Sequence, residues 1–141
     1  MKAPENLNHK PIIAVNDYDK IDAIYADNTD VRALSIGQAQ YDKEELSVKV
    51  WRHTGERWSR QSEEMPLHRA LDLSILTIAA ILTDTKAKYP LTSLREEIVL
   101  EDRVGEIKNY YKLNEKMLRP RLEELRKILN TFFDKEIKNR L

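Results

Sequence analysis

The sequence predicts an α+β fold: a small antiparallel β-meander packed on a bundle of three to four helices, with one helix buried at the centre. Three observations carry that expectation. Short runs alternating apolar and polar residues fill 33–61, the stretch 67–82 is almost continuously apolar, and helical periodicity follows as far as Phe132. Strands come first and helices after, which is the order of an α+β chain and not of alternating βαβ units. At 141 residues the chain suits one domain. We divide it into an acidic arm (1–32), the meander (33–61) and a helical part (62–141).

The elements follow in order. Pro11-Ile12-Ile13-Ala14-Val15 is a short apolar run behind a proline, which fits an edge strand or an extended arm. Residues 16–32 are rich in Asp and read as turns, with Asp27-Asn28-Thr29-Asp30 able to bond its own backbone. Leu34, Ile36 and Gln38 then alternate with Ser35, Gly37 and Ala39. After the turn Asp42-Lys43-Glu44-Glu45, Leu46, Val48 and Val50 alternate with polar neighbours. These patterns predict strands over about 34–41, 46–52 and 56–61.

The last two strands would be joined through K-V-W-R-H-T-G-E-R-W-S-R-Q, residues 49–61. A two-residue turn at Thr54-Gly55 would force the β-branched Thr54 to positive φ, which it resists. A three-residue turn, His53-Thr54-Gly55, gives the left-handed position to Gly55 alone. That register pairs Arg52 with Glu56, Trp51 with Arg57 and Val50 with Trp58. It turns Leu46, Val48, Val50 and Trp58 inward and leaves Lys49, Trp51, Arg57, Ser59 and Gln61 on the other face.

Ser62-Glu63-Glu64-Met65-Pro66 reads as a helix start, since proline suits the first turn and acids complement the dipole. Leu67 to Leu82 begins with one apolar stripe and becomes apolar nearly all round, the pattern of a buried spine. Residues 86–90 form a loop. Ser93-Leu94-Arg95-Glu96 fits a capping box opening a helix to Leu100, and a further helix covers about 102–113. In the final helix Leu118, Leu122, Leu125, Leu129 and Phe132 recur at 4-3-4-3 spacing, with Pro120 expected in the first turn. Barely two heptads suit packing within one chain more than a coiled coil. The spare Phe132, Phe133 and Ile137 leave a homodimer through this helix open.

Composition narrows the function classes. Lys and Arg number 24 and so do Asp and Glu, so the chain is neutral overall. A protein built to coat nucleic acid carries excess positive charge. Residues 1–46 hold nine acids against five bases, so an acidic arm precedes a mildly basic remainder. Without cysteine there is no disulfide, thiolate nucleophile or Cys-ligated metal. No secretory signal is visible, and the longest apolar stretch, Leu73 to Leu82, is half of what a spanning helix needs. The expectation is a soluble cytoplasmic protein that does not enter membranes.

Three constellations invite chemistry. Between 49 and 61 four basic residues face one acid, and Trp51 is available to stack, as in single-strand readers. The ordinary structural reading is a cation–π contact between Trp51 and Arg57, worth ~0.5–1 kcal/mol, beside a surface pair Arg52–Glu56. Next, His68 lies four residues before Asp72 and four after Glu64, with Ser59 and Ser62 upstream. A serine relay or a metal site could centre on His68 only if the fold brought these together, and ordinary i,i+4 pairs explain them as well. Asp17, Asp19 and Asp22 fail the calcium-loop pattern, which would place Ile21 and Asp22 at its fifth and sixth positions. With Gly37, Gly55 and Gly105 as the only glycines, no phosphate cradle can be assembled.

The run V-W-R-H-T-G-E-R-W-S-R-Q-S-E-E-M-P-L-H-R with the apolar helix behind it resembles the central part of a small bacterial family of uncharacterised function. The resemblance implies a bacterial soluble domain with no assigned activity, and it carries over no catalytic residue. The residues themselves lead to a non-catalytic binding domain for a protein or small ligand, needing no cofactor and no metal. Its contact surface is expected where the hairpin meets the helix start: Trp51, Arg52, His53, Arg57, Arg60, His68 and Arg69. A nucleic-acid module using Trp51, Arg52, Arg57 and Arg60 is the alternative, and a small hydrolase or metal enzyme at His68 the third reading.

Overall fold

Four strands form one antiparallel sheet in the order β1-β2-β3-β4: β1 (Lys10–Asn16), β2 (Val31–Gln38), β3 (Leu46–Arg52) and β4 (Glu64–Pro66). The helices are α1 (Leu67–Leu82), α2 (Val104–Leu113) and α3 (Glu115–Asn139). The structure is a computed structural model describing residues 1–84, 86 and 88–139. Part of the loop expected over 86–90, Ala87, lies outside the described residues. The α+β class is as expected, and β2, β3 and α2 lie close to their predicted places. The chain groups into two compact units, Met1–Thr77 and Ile78–Leu141, with α1 running across the boundary.

In the first unit, β1 is an edge strand, so Pro11 sits where a missing N–H costs little. It pairs with β2 through a bulge between Pro11 and Ile13. Gly37 allows that approach: a Cβ there would lie 1.9 Å from the Lys10 carbonyl oxygen. The third predicted strand is corrected. Residues 56–61 form no strand and touch the ladder through one bridge, His53–Trp58. The fourth strand is 64–66 instead, antiparallel to Ser47–Lys49. The segment Ser62–Pro66 is therefore not a helix start; the helix opens at Leu67, directly after Pro66.

The sheet also buries the face opposite to the one its aliphatic residues select. In β2 and β3 the inward positions are Val31, Ala33, Ser35, Gly37, Ser47, Lys49 and Trp51. Leu34, Ile36, Val48 and Val50 are half-buried, while Leu46 is exposed. The seat on the inward face is taken by the N-terminal segment, where Ala3 and His9 are buried and the Ala3 N–H donates to Asn16 Oδ1 at 2.9 Å. Ala3, Ala33 and Trp51 form the core there, with Ala14 and Trp58 packed against it. On the other face, registered pairs align Val15, Leu34 and Val50 in one row and Ile13, Ile36, Val48 and Met65 in another. Ile13 is 69% exposed and Val15 45%.

The expectation of a buried central helix is corrected as well. In α1 only Ala79 is buried, and Leu71, Leu73, Ile75, Leu76 and Leu82 are exposed. Apolar residues distributed nearly all round a helix cannot all be covered by one neighbour, and the inward sheet face is already closed by residues 1–9 and Trp58. In the second unit, residues 93–100 form no helix. Glu96 is captured by the Thr92 hydroxyl (2.6 Å) and the Leu91 N–H (2.8 Å), and Arg95 adopts a left-handed φ of 58°, so the capping box never forms. Pro120 is the sixth residue of α3, not in its first turn. No helix among the described residues is long and apolar enough to cross a membrane.

Candidate functional site

The hairpin end is a four-residue turn, in which Thr54 N–H donates to Arg57 O (2.9 Å) and Ser59 N–H to Arg52 O (2.7 Å). Gly55 takes the positive φ, 103°, that the turn chemistry requires. The pairings expected there are replaced. Arg52 does not meet Glu56; its guanidinium contacts Glu63 at 3.0 Å and Asp30 at 2.6 Å. The hydrogen bonds that Arg52 donates to Glu63 and Asp30 raise its pKa against the opposing effect of burial. Trp51 is 1% exposed and belongs to the core, so it leaves the expected contact surface. Both indoles lie on one side, their rings edge-on at 5.6 Å. The cation over Trp51 is Lys49, with Nζ 4.3 Å from the ring centroid, and not Arg57. His53 stacks edge-on against Trp58 and accepts the Gly55 N–H at Nδ1. Arg57 and Arg60 at the turn and His68 and Arg69 at the start of α1 are exposed.

No hydrogen bond or ion pair among the described residues joins His68 to Ser59, Ser62, Glu64 or Asp72, and none of their acidic and histidine groups cluster to hold a metal. Glu64 is instead in β4, on the ladder, and there it meets a histidine the sequence did not single out. His9 is fully buried, with Nδ1 2.9 Å from Ser47 Oγ and Nε2 2.9 Å from Ser35 Oγ. Ser47 donates to Glu64 Oε2 at 2.8 Å, and Trp51 Nε1–H donates to Ser35 at 2.8 Å. Gln40 N–H also binds Glu64 (2.8 Å), and Lys49 Nζ lies 3.6 Å from its other oxygen.

One assignment of protons satisfies all of these contacts. The indole can only donate and the carboxylate can only accept. In it Ser35 Oγ accepts the indole N–H and donates its hydroxyl to His9 Nε2, and His9 Nδ1–H donates to Ser47. Every hydrogen is used when the imidazole is neutral. Burial accordingly holds His9 below the ordinary histidine range, against the raising effect of the Glu64 carboxylate. Burial also pushes Glu64 up, but the Gln40 N–H, the Ser47 hydroxyl and nearby Lys49 outweigh it, and its carboxyl lies below the usual range.

Ser35, His9, Ser47 and Glu64 are thus wired in the sense of a proton relay, with Ser35 Oγ in the nucleophile's place. Ser35 is only 7% exposed and already bonded to the indole. What the wiring does in this arrangement is join the N-terminal segment to β2, β3 and β4. Little in the local pattern announces it: Asn8-His9-Lys10 is a polar stretch without periodicity, and His9 finds its partners 26 and 38 residues away.

A second feature lies on the open face. Tyr18 and Tyr25, from the turns Tyr18–Lys20 and Ala23–Tyr25, line with Leu34 and Val50 a half-open concavity of about 420 Å³, bordered by Asp22 and Arg52. Asp19, buried beneath this loop, pairs with Arg32 at 3.2 Å, and Asp27 N–H donates to the Asp19 carbonyl at 2.7 Å.

No curated protein and no solved structure matches the chain. Residues 1–105, which contain the whole sheet, the buried relay, the concavity and α1, match a family described as "Family of unknown function (DUF6530)". The chain belongs to that family.

Proposed function

We propose that the protein is a non-catalytic binding domain whose partner is another protein and whose contact surface is the open aliphatic face of the sheet. One observation carries this reading: the sheet seals its small and polar face and leaves Ile13, Val15, Leu34, Ile36, Val48 and Val50 half-buried or exposed. A contiguous apolar patch of this kind on a folded chain marks an interaction site. The reading keeps the binding role expected from the sequence and moves its centre from Trp51 to the face behind it. Arg57, Arg60, His68 and Arg69 remain candidates for polar contacts outside that face.

The test is affinity capture with the full chain from extract of its source cells. Ile13→Asp with Val15→Asp should abolish retention of the partner kept by the wild type, and Arg57→Ala with Arg60→Ala should leave it unchanged. Both sheet positions are exposed, so stability should change by about 0.5 kcal/mol or less. Retention by the sheet variant would refute the assignment. Binding of oligonucleotides that weakens steeply with salt and is lost in the Arg57/Arg60 variant would replace it with the nucleic-acid alternative.

A further inference from the structure

We propose that the concavity under the 18–25 loop binds a small organic amine, with the hydrocarbon body on Leu34 and Val50 and the ammonium between the tyrosines and Asp22. The site shares Leu34 and Val50 with the proposed contact face but does not depend on the protein-binding reading. Leu34 and Val50 are cross-strand partners and form an aliphatic floor. Tyr18 and Tyr25 supply aromatic walls, whose faces attract cations and reject anions. The volume, about 420 Å³, lies within the range of small-molecule sites.

The charges decide the sign of the ligand. Arg52 borders the space, but Glu63 occupies its Nε and Nη2 (3.1 and 3.0 Å) and Asp30 its Nη1 (2.6 Å). A guanidinium met on both edges by carboxylates has little left for an incoming anion. Asp22 forms no ion pair or side-chain hydrogen bond among the described residues, so the charge still available is negative. With Arg52 counted against Asp22, Asp30 and Glu63, the local balance is also negative.

The loop is held in one shape. Asp17, Ala23 and Asp27 all have left-handed φ (54°, 50° and 66°), and Ala23 lacks a side-chain hydrogen bond to offset it. Such a conformation persists where its surroundings over-determine it, and it recurs at ligand clamps. The Asp19–Arg32 pair and the Asp27–Asp19 hydrogen bond supply that constraint.

The experiment titrates the full wild-type chain, labelled at Leu and Val methyls, with 2-phenylethylamine and with 3-phenylpropionate, which pairs a similar body with the opposite charge. The amine should give saturable shifts at Leu34 and Val50, with the carboxylate at least about fivefold weaker. Asp22→Asn should weaken the amine by about fivefold, as loss of a partly exposed ionic contact implies. No saturable shift with millimolar amine, equal affinity for the carboxylate, or an unchanged affinity in folded Asp22→Asn would each overturn the proposal. Should that variant fail to fold, the comparison of the two ligands on the wild type decides. Failure here with retention of a partner by the sheet face would sink the amine site alone.

Discussion

Gly37 is the residue on which the edge of the sheet turns. A methyl group at this position would press on the Lys10 carbonyl and on Pro11 Cα, both backbone atoms that cannot swing aside. Gly37→Ala should therefore cost roughly 3 kcal/mol or more, at the upper end of overpacking penalties, read as a lower urea midpoint with an unchanged slope. Gly55→Ala offers the contrast: nothing surrounds that position, and only the positive φ is lost, a cost of about 1 kcal/mol. His9 makes a prediction in pH. Its folded state disfavours the proton, while the unfolded chain takes one up near the ordinary value of 6.5. The folded state thus binds fewer protons below that point. Its contribution to stability is complete above about 6.5 and is lost as pH falls toward the depressed folded value. Glu64, also depressed, adds a separate loss below the ordinary carboxylate range. Urea midpoints at pH 7.5 and 5.5 should fall in the wild type and much less in His9→Asn; equal falls in both would contradict the neutral imidazole. Of these residues, Gly55 was legible from turn chemistry alone. His9 and Gly37 were not, because their roles depend on strands far away in the chain.

At the scale of elements, local patterns found β2 and β3 but not which way they face. Leu46, Val48 and Val50 form the more apolar side of β3, yet Ser47, Lys49 and Trp51 are inside. Periodicity measures hydrophobicity and is blind to a hydrogen-bond network that satisfies each buried polar group, the condition under which such burial becomes tolerable. The same blindness explains β4. Glu63 and Glu64 resemble helix-start acids, but one binds Arg52 across the sheet and the other completes the buried relay. In α3 the 4-3-4-3 spacing is recovered as a helix whose Leu118, Leu122 and Leu125 are half-buried, while Leu129, Phe132, Phe133 and Ile137 are exposed. If that exposed end mediates self-association, Phe132→Asp with Ile137→Asp should convert a concentration-dependent dimer to a monomer in sedimentation velocity. A monomer at every concentration in the wild type would rule the contact out.

For the whole molecule, the α+β class and the order of strands before helices were readable because they rest on composition and period. The distribution of burial was not, since it depends on the N-terminal segment closing one sheet face. That closure shapes the functional account. It removes Trp51 from any ligand and shields the Ser35–His9 pair, and it leaves the aliphatic rows of β1, β2 and β3 as the surface still available for contact. The most direct measurement is paramagnetic broadening by a soluble nitroxide in methyl and indole NMR spectra of the intact chain. The Ile13 and Val15 methyls should broaden strongly while the Trp51 indole N–H stays untouched. Broadening of Trp51 with Ile13 and Val15 protected would contradict it.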